Sequence, residues 1–186
     1  MARTQLQVLA LTTVVVATLA LPSVATAGGG RYTFVGGTPR ERTTVVRALQ
    51  ASRFEWQLLP TITIRIARGV LSQATPGEIW LDAALIDAGS FAWGVVQHEY
   101  AHQVDFFLLT APARALLLRR LGGSTWCDAR PAQRGQLGCE RFASTLAWAY
   151  WPSTANCMGP PQGRAFDPAS FRRLMSRLLA GSEVPR

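Results

Sequence analysis

The sequence predicts an α+β domain: a small mixed sheet packed on a central apolar helix, with further helices toward the C-terminus. Three observations carry this. Ile62, Ile64 and Ile66 alternate with Thr61, Thr63 and Arg65, the period of two that marks a half-buried strand. The segment from Phe91 to about Leu109 is apolar over most of a helical circumference, through Trp93, Val96, Val104, Phe107 and Leu108, which marks a helix surrounded by protein. Beyond it come helical segments joined by loops.

The elements follow in order. Arg31 to Val35 is a run of strand formers closed by Gly36-Gly37. Thr38-Pro39-Arg40-Glu41 is a helix start, with Thr38 as N-cap, Pro39 at the first helical position and Glu41 closing a capping box. That helix should run to about Ser52 and turn Val45, Val46 and Leu49 inward. Leu58 to Ala67 holds the alternating strand, Gly69 to Gly77 reads as a connection, and Glu78 to Asp82 as a second strand. Ala83 to Gly89 is a turn or short helical piece, and Ser90 can cap the central helix. Ala111 to Leu121 is a helix with Pro112 in its first turn and Gly122-Gly123 at its end. Residues 124–138 form a loop, Cys139 to Trp151 a helix ended by Pro152, and residues 152–166 a second loop. Asp167-Pro168 opens a last amphipathic helix carrying Phe171, Leu174, Met175, Leu178 and Leu179. The sequence shows no internal repeat and no second-domain boundary.

Residues 1–27 have the pattern of a secretory signal peptide. Arg3 gives a positive start, Val8 to Leu21 is largely apolar and uncharged, Pro22 breaks the run, and Ala25-Thr26-Ala27 offers small-x-small cleavage after Ala27. The apolar run falls short of the ~20 residues a spanning helix needs. The expected mature chain, residues 28–186, is one domain's length, secreted, with no membrane span after cleavage. The net charge is +8, and every basic residue is arginine. These arginines are scattered, with no aromatic-interleaved basic tract, so no nucleic-acid partner is expected. Three cysteines in an exported chain suggest one disulfide and one cysteine left over. Cys127 with Cys139 is the favoured pair, because it would pin a loop next to a helix start.

The chain has two histidines, and both lie in His98-Glu99-Tyr100-Ala101-His102. Residues four apart share one face of a helix, so the two imidazoles can share one metal ion, and Glu99 can reach a water bound to it. Shuffling this composition produces the pattern on the order of 3 times in 10,000, which separates it from a chance short motif. Two imidazoles and a carboxylate on an apolar helix would also be costly without a partner such as a metal.

Catalytic zinc sites commonly take three protein ligands and leave the fourth position to water. A third histidine does not exist here. The downstream glutamates are Glu140 and Glu183, and Glu183 sits close to the C-terminus. Glu140 opens the helix after the 124–138 loop and is the expected third ligand, in keeping with the two-histidine-plus-glutamate set of zinc peptidases. Asp105 competes, because it follows His102 by three on the same face, but on a straight helix it lies about 10 Å along the axis from His98. A better role is to accept a hydrogen bond from an imidazole or another buried donor. Tyr150 and Arg141 are candidate donors to a developing oxyanion.

These residues resemble those of the H-E-x-x-H zinc metallopeptidases, the zincins, and within them the gluzincin branch with glutamate as third ligand. The resemblance covers roughly residues 78–151, and the chain is also similar to small secreted zincin-like proteins of actinobacteria. It implies a minimal zincin-like domain in which His98, His102 and Glu140 hold zinc, Glu99 is the general base, and peptide or protein is the substrate. It also implies an edge strand before the active-site helix, along which a peptide lies extended; Glu78 to Asp82 matches that place. Gluzincins often have Asp four residues after the third ligand, where this chain has Ser144. Their downstream stabilising histidine and much of their C-terminal helical domain are absent. Two other classes stay open: a catalytically silent, zinc-stabilised binding module and a cell-wall amide hydrolase.

Overall fold

A computed structural model describes residues 30–127, 137–159 and 166–180. The expected signal peptide of residues 1–27 and the tail with Glu183 lie outside the described residues. Strand β1 (Tyr32–Gly36) leads through two left-handed glycines, Gly36 and Gly37, into helix α1 (Pro39–Ala51). The capping box is present in full: Thr38 N–H donates to Glu41 Oε2 at 2.6 Å, and Thr38 Oγ1 accepts from Glu41 N at 3.3 Å. Strands β2 (Ile62–Ala67), β3 (Gln73–Thr75) and β4 (Glu78–Asp82) follow. Then come helices α2 (Ala83–Asp87), α3 (Trp93–Leu108), α4 (Ala111–Leu121), α5 (Gly138–Tyr150) and α6 (Pro168–Ala180).

The sheet order is β1-β2-β4-β3. β1 and β4 pair with β2 in parallel, and β3 pairs with β4 antiparallel. The fold is thus a mixed α+β domain with an open four-stranded sheet. Ile62, Ile64 and Ile66 are buried while Thr63 and Arg65 between them are half-buried, as the alternation requires. Ile79 and Leu81 extend the same inner face. This face joins Val45, Leu49, Val96, Tyr100 and Val104 in one core cluster. On the outer face Arg65 pairs with Glu78 across the register and lies over the Trp80 ring, 5.2 Å from its centroid.

Two expectations are corrected. Glu78 to Asp82 is not an edge strand: β4 lies between β2 and β3. The segment read as a connection, Gly69 to Gly77, contains the edge strand beside it, β3. It folds back through Pro76-Gly77, where Gly77 takes φ 80°, the left-handed value a tight Pro-Gly turn demands at its second position. Ser90 does not cap α3 through its side chain. A 3₁₀ turn at Gly89–Ala92 runs straight into the helix, and the Trp93 N–H is taken by the Ser90 carbonyl.

Helix α3 is central. Its residues from Val96 to Asp105 are buried without interruption. Two buried amides on it reach backbone of other elements. Gln97 Nε2 donates to the Ala48 carbonyl of α1 at 2.7 Å. Gln103 Nε2 donates to the carbonyls of Thr75 and Glu78, at 2.9 and 3.2 Å, and Gln103 Oε1 accepts from Gly77 N at 2.9 Å. One side chain thus ties the β3–β4 turn to the helix. Gly94 lets a later loop approach: a Cβ there would lie 2.4 Å from Asn156 Oδ1. Among the described residues no helix is long and apolar enough to cross a membrane.

Candidate metal centre

His98 and His102 sit one turn apart on α3, and their Nε2 atoms face each other at 3.2 Å. Glu140, in the first turn of α5, brings its carboxylate to both: Oε2 lies 3.2 Å from His98 Nε2, and Oε1 lies 3.7 Å from His102 Nε2. The three donor atoms fall within 4.8 Å of one another. Their separations match the donor set of a metal. A tetrahedral ion with bonds of about 2.0–2.1 Å holds its ligands roughly 3.4 Å apart. Lone pairs this close repel unless a proton or a cation lies between them. The residues therefore fit a metal ion.

Their surroundings hold the donors in place. His98 and His102 are 8% and 7% exposed, while Glu140 is the more open ligand. Burial lowers the pKa of His102 below its ordinary 6.5, and the neighbouring His98 lowers it further, against the opposing pull of Glu140. His102 is thus kept neutral near pH 7, the form that binds metal. The Phe106 ring lies nearly parallel to that of His102, with centroids 6.3 Å apart. On the far side of His98, Nδ1 lies 3.2 Å from Ser144 Oγ. A hydrogen on Nδ1 shared with that hydroxyl leaves the Nε2 lone pair for the metal. Ser144 is one turn beyond Glu140, so α5 supplies both a member of the donor cluster and the hydroxyl that meets another.

Glu99 is 6% exposed and lines the same cleft as the three donors. The cleft has a volume of about 260 Å³. Ser72, Gln73 and Ala74 line it from the edge of the sheet, and Phe106, Cys127 and Leu137 complete its wall. The edge of the sheet, the donor cluster and the Glu99 carboxylate thus share one opening.

Asp105 is 2% exposed and points elsewhere. It accepts from Arg114 Nε at 2.7 Å and from Trp126 Nε1 at 3.0 and 3.1 Å. Its donors are therefore a guanidinium and an indole rather than an imidazole. Burial raises its pKa, partly offset by these bonds. Cys127 and Cys139 are joined by a disulfide, and Cys157 is a free thiol. The two candidate oxyanion donors are not at the cleft. Tyr150 packs its ring edge-on against Phe54, centroids 5.0 Å apart, and Arg141 Nη1 donates to the Leu121 carbonyl at 3.1 Å. Both lie on α5, and neither lines the cleft that Glu140 reaches.

Sequence reasoning missed two features that shape the site, and it noted Ser144 only as a departure from the gluzincin pattern, without a partner. For β3, the Pro76-Gly77 dipeptide was the available signal. For Gln103 there was none beyond an amide on an apolar helix. Comparison with family models, with curated proteins and with solved structures finds no match to the chain.

Proposed function

We propose that this chain is a secreted, zinc-dependent peptide-bond hydrolase. The observation that carries the reading is one cleft containing both the His98–His102–Glu140 donor cluster and the buried carboxylate of Glu99. A site that only bound metal would have no use for a fourth, acidic group beside it. Two histidines and a glutamate are the donor set that suits zinc. Zinc held there would supply Lewis-acid polarisation of a carbonyl and lower the pKa of a water. Glu99 would take the proton of the attacking water and deliver it to the leaving nitrogen. Edge strand β3 borders the cleft, and an extended peptide would pair along its outer side. Export is the matching compartment, because the N-terminal signal pattern and the disulfide belong together.

The test is paired. Purified protein should hold one zinc per chain, and Glu140→Ala should lose most of it. Wild type should cleave members of a peptide library, and Glu99→Gln should keep its zinc yet lose at least ~100-fold in rate. Full zinc occupancy in Glu140→Ala would remove that residue from the ligand set. Equal, negligible cleavage by wild type and Glu99→Gln would leave a zinc-stabilised binding module.

A further inference from the structure

We propose that the Cys127–Cys139 disulfide is a redox-sensitive latch on the metal centre: closed, it keeps Glu140 in the donor set, and opened by a thiol reductant it lets Glu140 withdraw and the metal leave. The inference rests on the metal reading above.

The three donors are not held equally. His98 and His102 are built into the buried middle of α3. Glu140 stands in the first turn of α5, and that turn has no side-chain cap. First turns are the part of a helix whose backbone is least tied by the helix itself. Further along, Phe142, Ala143, Leu146, Ala147 and Ala149 are fully buried. The helix body is therefore anchored by packing, and its first turn, buried at Gly138 and Cys139, is also tied to a segment outside the helix.

That segment is 125–127. Gly138 N donates to the Thr125 carbonyl at 2.8 Å, and Cys139 N to the Trp126 carbonyl at 2.9 Å. The Trp126 ring lies so close that a Cβ on Gly138 would come within 2.7 Å of it. Trp126 is in turn fixed to α3 through Asp105. The disulfide closes the arrangement covalently at the residue next to Glu140. Its two ends differ in access. Cys139 is fully buried, whereas Cys127 is exposed and lines the metal cleft. A reductant thus meets the bridge at Cys127, from the side on which the metal would sit.

The chemistry balances as ordinary exchange. A thiolate of a dithiol attacks the Cys127 sulfur, the S–S bond breaks, and Cys139 leaves as a thiolate that takes up a proton. The second thiol of the reductant then resolves the mixed disulfide and frees Cys127. Two electrons and two protons pass to the protein, and the reductant ends as its own disulfide. The first turn of α5 then loses its covalent tie to segment 125–127 and is left with non-covalent contacts, among them its two backbone bonds and the packing of Gly138 against Trp126 and Leu118.

The experiment uses the full mature chain with Cys157→Ser, so that the pair are its only cysteines. Zinc affinity is measured by competition with a chromophoric chelator. The oxidised protein is compared with protein reduced by dithiol and desalted without oxygen, and with a Cys127→Ala/Cys139→Ala variant. Zinc should bind ~10–100-fold more weakly in the reduced protein and in the variant, the scale of losing a group that orients a ligand. Far-UV circular dichroism should be retained. In Glu140→Ala, opening the bridge should change zinc affinity less than twofold, because the ligand it holds is already gone. Oxidised protein that takes up no zinc overturns the metal reading and the latch with it. Zinc bound as tightly after reduction, or an equal loss in Glu140→Ala, overturns the latch alone. Loss of helical dichroism on reduction also overturns it, in favour of a general staple.

Discussion

Ser144 Oγ lies 3.2 Å from His98 Nδ1, the ring nitrogen turned away from the metal donors. It stands one turn beyond Glu140 on α5, where a carboxylate would be expected in the gluzincin pattern. A hydroxyl can accept the Nδ1 hydrogen and so orient the ring, but it carries no charge to strengthen the imidazole as a ligand. Ser144→Ala should therefore weaken zinc binding by roughly 10-fold while leaving the thermal midpoint of the metal-free protein within a few degrees of wild type. Competition titration and a thermal melt check this. An unchanged zinc affinity would make Ser144 a packing residue only.

Gln103 should separate metal binding from substrate handling. Its amide makes three bonds to the β3–β4 turn and none to the donors. Gln103→Ala leaves backbone groups at that turn without their partner and should cost about 1–3 kcal/mol of stability, read by chemical denaturation. Zinc affinity should stay within a factor of two. Cleavage of a good peptide substrate should fall chiefly through a higher KM, because the edge strand is no longer held against α3. A loss of zinc instead would mean that β3 helps to hold α3 itself.

The metal-free protein should lose stability in mild acid. His102 has its pKa lowered below 6.5 by burial first and by His98 second. When pH falls below 6.5 the unfolded chain takes up a proton at this residue that the folded chain refuses. Unfolding therefore becomes easier from 6.5 downward, and the contribution is fully present above 6.5. Denaturation midpoints in the presence of chelator should be flat from about pH 8 to 7 and fall between about pH 6.5 and 5.5. Zinc affinity should drop over the same range, since protons and metal compete for the same nitrogen. A midpoint that does not change down to about pH 5.5 would contradict the burial of an uncharged His102.

Much of this was legible in the chain because it is local. The i, i+4 spacing of His98 and His102 is a property of any helix, and the apolar sequence around them already required burial. The capping box at Thr38 and Glu41 and the alternation from Ile62 to Ile66 are likewise set within a few residues. Strand β3 escaped because three residues, Gln73 to Thr75, are too few to show a period, and their place at the edge is decided by pairing with β4. The displacement of Glu78–Asp82 from edge to interior follows from that one pairing. Tyr150 and Arg141 misled because chemistry alone suggested them, whereas their tertiary partners, the Phe54 ring and the Leu121 carbonyl, hold them away from the cleft.

The sequence by itself determined the helix that carries two imidazoles and Glu99, the period of the sheet, and the short list of acids from which a third donor had to come. Those follow from residue type and from spacings shorter than two helical turns. Only the tertiary structure decided that Glu140, thirty-eight residues after His102, meets the imidazoles at 3.2 and 3.7 Å, that Ser144 meets His98 Nδ1, and that Trp126 and a disulfide border the turn that carries Glu140. Such contacts join elements far apart in the chain, and their geometry is set by how the helices pack on one another.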